Sequence, residues 1–290
     1  MCAKTFLQNH QNTNEMRTEQ FTHSMVRIDQ NGEYIKPDDQ GIGSFGGFQA
    51  LLESEVSKSK PYYWLTFPKP PHKSVVNEVM TRLLTVIETK TLPFVLLTGD
   101  QPVYTLIVNL VNEANGRYDK KIPILGPFHT QVAFITAISK RFEGSGLSDI
   151  FVSAGIIADK SVDQAMRGKH FRRIVRALQL SYEAFQRHII QKGIGNGMHC
   201  PDHVKAQLSK LRSKEHDDLN IVRLCIKHDP DFLEFQKSCY DCIERTPMSK
   251  YWLSFMDMVE ILILNIHALK IKDYSIQGLF ALNDSLVTDI

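Results

Sequence analysis

LPFVLLTGD (residues 92–100) and KIPILGPFH (residues 121–129) share one pattern: an apolar run, a glycine, then a polar group, Asp100 in the first and His129 in the second. A helical periodicity follows each at once, QPVYTLIVNLVNEA over 101–114 and TQVAFITAISKRF over 130–142. Short apolar runs bounded by turn residues suit buried strands, and their alternation with helices builds an α/β sheet. The tips of such strands open on a crevice where backbone and side chains converge, so Asp100 and His129 are the first candidates for a site.

Outward from this unit the chain is mostly helical. SVVNEVMTRLLTVIETK (74–90) precedes it with Val75, Val79, Leu83 and Val86 at helical spacing. Gly144-Ser145-Gly146 breaks the chain, and LSDIFVSAGII starts a short helix. The spacing then predicts one long helix over 161–193. After the loop GIGNGMHCPDH, helices continue with breaks near Asp229-Pro230, Thr246-Pro247 and Lys272-Asp273. Upstream, residues 1–60 are polar and are expected to be the least ordered. MVRID and GEYIKP there suit a hairpin turning at Asn31-Gly32, and the prolines from Pro68 to Pro71 keep 61–73 extended. The expected fold is α/β: a small mixed or parallel sheet heavily covered by helices, with a mostly helical C-terminal half. Residues 61–290 form that domain, 61–143 its strand and helix part and 144–290 its helical part.

Composition bounds the function loosely. The chain has 290 residues, 43% hydrophobic and 23% charged, with a net charge of +2. Those are globular values, and the near-neutral balance argues neither for nor against nucleic acid. No apolar run reaches the roughly 18 residues of a membrane span, and MCAKTFLQNHQN lacks a signal core. Five cysteines, an odd number, suit a reducing intracellular compartment.

Candidate chemistry lies in four places. Asp100 could hold a cation, or simply cap the next helix, where Pro102 suits the first turn. His129 on a neighbouring strand tip could be oriented by Asp100, or be structural. Asp257 and Glu260 sit on the apolar helix of KYWLSFMDMVEILILNIHALK, either sharing one exposed strip or, for Glu260, buried and therefore in need of a partner. Cys200, His203, Cys239 and Cys242 form an alternative Zn²⁺ set, against which stand a 36-residue separation and the helical setting of the second pair. The segment 165–192 carries seven cationic side chains against one acid, Glu183. Lys169, Arg172, Arg173 and Arg176 share one helical side there, either to meet a phosphate backbone or merely to be solvated.

In order, LLTGDQPVYTLIVNLV, ILGPFHTQVAFITAISKRFEGSGL, the basic helix and KYWLSFMDMVEILILNIHAL resemble a family of animal transposon-encoded proteins similar to ribonuclease-H-like transposases. The resemblance spans about residues 90–270. It implies a partial ribonuclease-H-like core, DNA as partner, a nuclear location, and Mg²⁺ or Mn²⁺ held by Asp100, Asp257 and Glu260 for phosphoryl transfer, with His129 as the strand-end histidine. Pro127-Phe128 stands where relatives often carry an acid, and no upstream strand ends in Asp. The chain therefore reads as a fragment or decayed copy. A non-catalytic helical interaction or nucleic-acid-binding module is the alternative.

Overall fold

The computed structural model describes residues 15, 17–29, 33–35, 72–91, 93–213, 219–243 and 246–270. Helix α1 covers residues 17–26. Then come α2 (Lys73–Thr89), β1 (Val95–Gly99), α3 (Gln101–Glu113), β2 (Lys121–Leu125), α4 (Pro127–Arg141), α5 (Leu147–Ser153) and α6 (Asp159–Met166). Five longer or later helices follow: α7 (Phe171–Gly195), α8 (Asp202–Ser213), α9 (Leu219–Lys227), α10 (Pro230–Asp241) and α11 (Pro247–Lys270). The class is mixed α/β, dominated by helix. Two compact units divide the chain, the division running through α4 between Ala137 and Ile138.

The smaller unit holds the sheet. Strands β1 and β2 pair in parallel, from Val95 opposite Lys121 to Gly99 opposite Leu125, with α3 as the crossover. This is the strand–helix–strand–helix unit expected from the two apolar runs. Val76, Met80, Ile107, Leu110 and Tyr118 form its core. The Tyr118 hydroxyl donates to Asn77 Oδ1 at 2.7 Å, so the ring is buried without orphaning its polar end. At the strand tips the backbones close up: Gly126 N–H donates to Gly99 O at 2.7 Å, and a Cβ on Gly126 would lie 2.9 Å from that oxygen. A residue with a side chain would push the two tips apart.

The larger unit is a helical bundle built around α1. Every residue from 18 to 26 is buried, although the segment TEQFTHSMV is largely polar. The N-terminal sixty residues, expected to be the least ordered, thus include a buried helix. Its apolar anchors are few, which is why periodicity understates it: Phe21 packs edge-on to Phe232 and Phe235 at 5.8 and 6.0 Å, with Met25 and Val26 a turn later. Beyond α1, Ile28 and Tyr34 form the antiparallel bridge expected of the hairpin; its turn residues lie outside the described set. Elsewhere in the unit, Trp252 stacks on Phe185 at 5.1 Å and Phe255 meets Phe142 at 5.2 Å, burying one side of α11.

The long helix expected over 161–193 is two helices. Gly168 has φ +79°, and the bonds Gly168 N–H to Ala165 O and Lys169 N–H to Gln164 O close α6 with a glycine cap. The chain restarts at α7. Apolar spacing continues through the break and hides it, whereas the glycine marks it.

Candidate functional site

Asp100 is the N-cap of α3: its Oδ1 accepts from Val103 N–H at 3.1 Å, and Pro102 lies in the first turn. The capping alternative is the geometry found. His129 lies in the first turn of α4, partly buried, its ring 5.7 Å from that of Phe128. The strand register sets both residues at the carboxyl end of the sheet, but no hydrogen bond joins them.

In the larger unit Asp257 and Glu260 do meet, one turn apart on α11, and what they meet is Arg17. Arg17 Nε donates to Glu260 Oε2 at 3.1 Å and Nη2 to the same oxygen at 2.9 Å, while Nη2 also reaches Asp257 Oδ1 at 2.6 Å. Asp257 is more than half exposed, whereas the Glu260 side chain is 1% exposed. The two acids therefore do not share an exposed strip. Glu260 is a buried carboxylate, and Arg17 is the partner its burial requires.

Around the pair lies a polar core. Tyr240 donates to Gln186 Oε1 at 3.0 Å, and Thr18 Oγ1 to Gln236 Oε1 at 3.1 Å. Burial raises the Glu260 carboxyl to about 7 against the pull of Arg17. The Tyr182 and Tyr240 hydroxyls are raised by burial and by the negative charge of Glu260. Arg17, Tyr182, Tyr240 and Gln186 were not legible as site residues; the one sequence signal was Glu260 itself, an acid on an apolar helix.

A divalent-cation site of the kind implied by the transposase resemblance needs carboxylate oxygens free to converge. Within the larger unit one oxygen from each α11 acid is instead bound to the Arg17 guanidinium, and in the smaller unit Asp100 caps α3.

Of the alternative zinc residues, Cys200, Cys239 and Cys242 lie near enough to one another for their charges to interact, whereas His203 is paired elsewhere. His203 Nε2 lies 2.7 Å from Asp229 Oδ2, and among the described residues it groups with Asp229 and Asp231 rather than with cysteines. Asp229 is itself occupied as the N-cap of α10, accepting from Phe232 N–H at 2.9 Å. Burial pushes the Cys200 thiol up to about 11 and that of Cys239 up to about 12.

The cationic residues gather differently than expected. Lys169 stands in the turn before α7, and Arg172 and Arg173 lie in the first turn, with Arg176 one turn on; all four are exposed. No acid occupies that first turn, and the N-cap His170 makes no side-chain cap bond. His170, Phe171, Arg172 and Arg173 line an open groove of about 350 Å³. Cations at the positive end of a 25-residue helix work against its dipole, so the arrangement is costly unless an anion sits there. Among the described residues no carboxylate pairs with Lys169, Arg172, Arg173 or Arg176.

No described helix is long and apolar enough to cross a membrane. A family model described as "Domain of unknown function (DUF8702)" matches residues 47–284. No curated protein and no solved structure matches the chain.

Proposed function

For a chain that belongs to the DUF8702 family, we propose a non-catalytic role: a nucleic-acid-binding module, the decayed relative of a ribonuclease-H-like transposase, that grips a phosphate backbone at the start of α7. The observation that carries the reading is the cluster of Lys169, Arg172, Arg173 and Arg176 around an uncapped helix N-terminus, exposed and without acid partners among the described residues. Main-chain N–H groups and guanidinium forks together suit phosphate oxygens, which carry charge but no sequence information. Binding of this kind is salt-dependent and nearly indifferent to base sequence. The nucleus, as the compartment that holds DNA, belongs to the same proposal.

Phosphoryl transfer is set aside in this reading because the Arg17 guanidinium already binds one oxygen of each α11 acid. A titration of labelled duplex DNA with the full chain, read by fluorescence anisotropy at 50 and 200 mM salt, tests the proposal. Binding should weaken steeply with salt, and the Lys169→Gln, Arg172→Gln, Arg173→Gln, Arg176→Gln variant should lower the slope of log affinity against log salt by up to about 3.6. Equal affinity for wild type and variant would overturn it. Mg²⁺-dependent cleavage of supercoiled DNA that is lost in Asp257→Asn would overturn the non-catalytic half.

A further inference from the structure

A helix that belongs permanently to a core is normally apolar on most sides, yet α1 offers Thr18, Glu19, Gln20, Thr22, His23 and Ser24 to the interior, all buried. Beside the Phe21, Met25 and Val26 contacts, charge and hydrogen bonding hold it at its two ends. Toward the N-terminus Arg17 engages Asp257 and Glu260; Glu19 pairs with Arg223 at 3.1 Å and with Lys227 at 3.3 Å, and Glu15 pairs with Lys227 at 2.7 Å. At the C-terminus Arg212 Nε donates to Val26 O at 2.8 Å and its Nη2 to Ile28 O at 2.9 Å, satisfying carbonyls that a helix end leaves open. The receiving surface is complementary at each point, with acids on α11, cations on α9 and an arginine on α8. The fit is incomplete in the middle: both polar atoms of the buried Gln20 amide lack a hydrogen-bond partner.

Two further facts bear on this. Residues 17–26 precede the family-matched span 47–284, whereas every helix that grips them lies inside it. Released into water, residues 15–29 would expose Phe21, Met25, Val26 and Ile28 as their buried apolar side chains, and buried ion pairs lend a folded state little net stability.

We propose that the bundle formed by α7 to α11 is a helix-receiving groove, and that residues 15–29 are its ligand, bound in cis and detachable, rather than a fixed part of the core. The partner class is defined by the charges: a polar helix with an arginine flanked two residues away on either side by glutamates, a phenylalanine four residues after the arginine, and an open C-terminal turn for Arg212 to cap. This is recognition of a helix in a groove, with electrostatics supplying register.

Hydrogen exchange on the full chain reads the detachment directly. Amides of residues 18–26 should exchange at least about tenfold faster than those in the middle of α7 and α11, through an opening that leaves the groove helices folded. Protection equal to that of α7 and α11 would overturn the proposal. Arg17→Glu, which sets like charges against Asp257 and Glu260, supplies the second measurement. The variant chain should retain protected α7 and α11 and bind a fluorescent peptide of residues 13–36 at least about tenfold more tightly than the wild-type chain does, because its own helix no longer competes. Loss of all protection in the variant, or a folded variant that ignores the peptide, would make α1 an integral core helix.

Discussion

Arg17 and Glu260 stand 243 positions apart in the chain and share two hydrogen bonds to a single carboxylate oxygen, Oε2. The other oxygen, Oε1, is buried without a hydrogen-bond partner. Its isolation explains why burial outweighs the attraction of Arg17 and lifts the carboxyl from 4.5 to about 7. The sign follows. Below about 4.5 Glu260 is protonated in both folded and unfolded chains; between about 4.5 and 7 the unfolded chain has released the proton and the folded one still holds it. Folding stability contributed by this site is therefore present at acid pH and is lost as pH rises through that window. A shift of this size corresponds to roughly 3 kcal/mol at 1.36 kcal/mol per pKa unit. Urea unfolding between pH 4.5 and 8 should show the decline, and Glu260→Gln, which cannot ionise, should flatten it. A slope unchanged in Glu260→Gln would mean that other groups govern the window.

Asp100 and Glu260 also show which parts of the chain were readable. The two-strand unit was legible because short apolar runs, each closed by a glycine, carry their own boundaries, and parallel pairing of β1 with β2 follows from the intervening helix. Asp229-Pro230 was legible for the same local reason, and it caps α10. The central place of α1 was not. Its burial is set by charges on α8, α9 and α11 that lie about 200 positions away, and a polar segment gives hydrophobic periodicity nothing to detect. Glu260 sat between these cases: the apolar helix around it announced a missing partner without naming Arg17. Cysteine spacing in sequence says nothing of where His203 turns, and it turns to Asp229.

Asp100 separates a capping role from a chemical one. Asp100→Ala removes the acceptor for Val103 N–H and should cost about 1 kcal/mol of stability. Asp100→Asn keeps an oxygen in place and should cost only a few tenths. Neither change should alter DNA affinity measured at fixed salt. Thermal melts beside anisotropy titrations make the comparison; an Asp100→Asn protein of normal stability that no longer acts on DNA would restore a catalytic role for this carboxylate.

Gly193 of α7 faces Cys239 of α10. A Cβ there would meet Cys239 Sγ at 2.5 Å and Cys239 Cβ at 3.1 Å. Gly193→Ala should therefore overpack the contact and destabilise the protein by about 1–3 kcal/mol despite the better helix propensity of alanine. Cys239→Ala removes the sulfur, so the double variant should recover part of the loss, a coupling that a two-variant cycle measures. Because His203 pairs with Asp229, itself the N-cap of α10, we expect less than one zinc per chain when the purified protein is assayed for metal.

The start of α7 offers a test in which stability and binding move in opposite directions. Arg172 and Arg173 crowd the positive end of the helix dipole, where an acid would be favoured. Arg172→Glu or Arg173→Glu should thus raise stability by about 0.3–1 kcal/mol, seen as a small upward shift in Tm. A side chain kept for binding is often one that the fold would gain by losing. If these arginines hold phosphate, each substitution should at the same time weaken duplex DNA binding and lower its salt dependence by about one contact. Higher Tm with unchanged affinity would assign the arginines to solvation alone, whereas lower Tm would mean that their stems pack against the His170–Phe171 groove and support the fold.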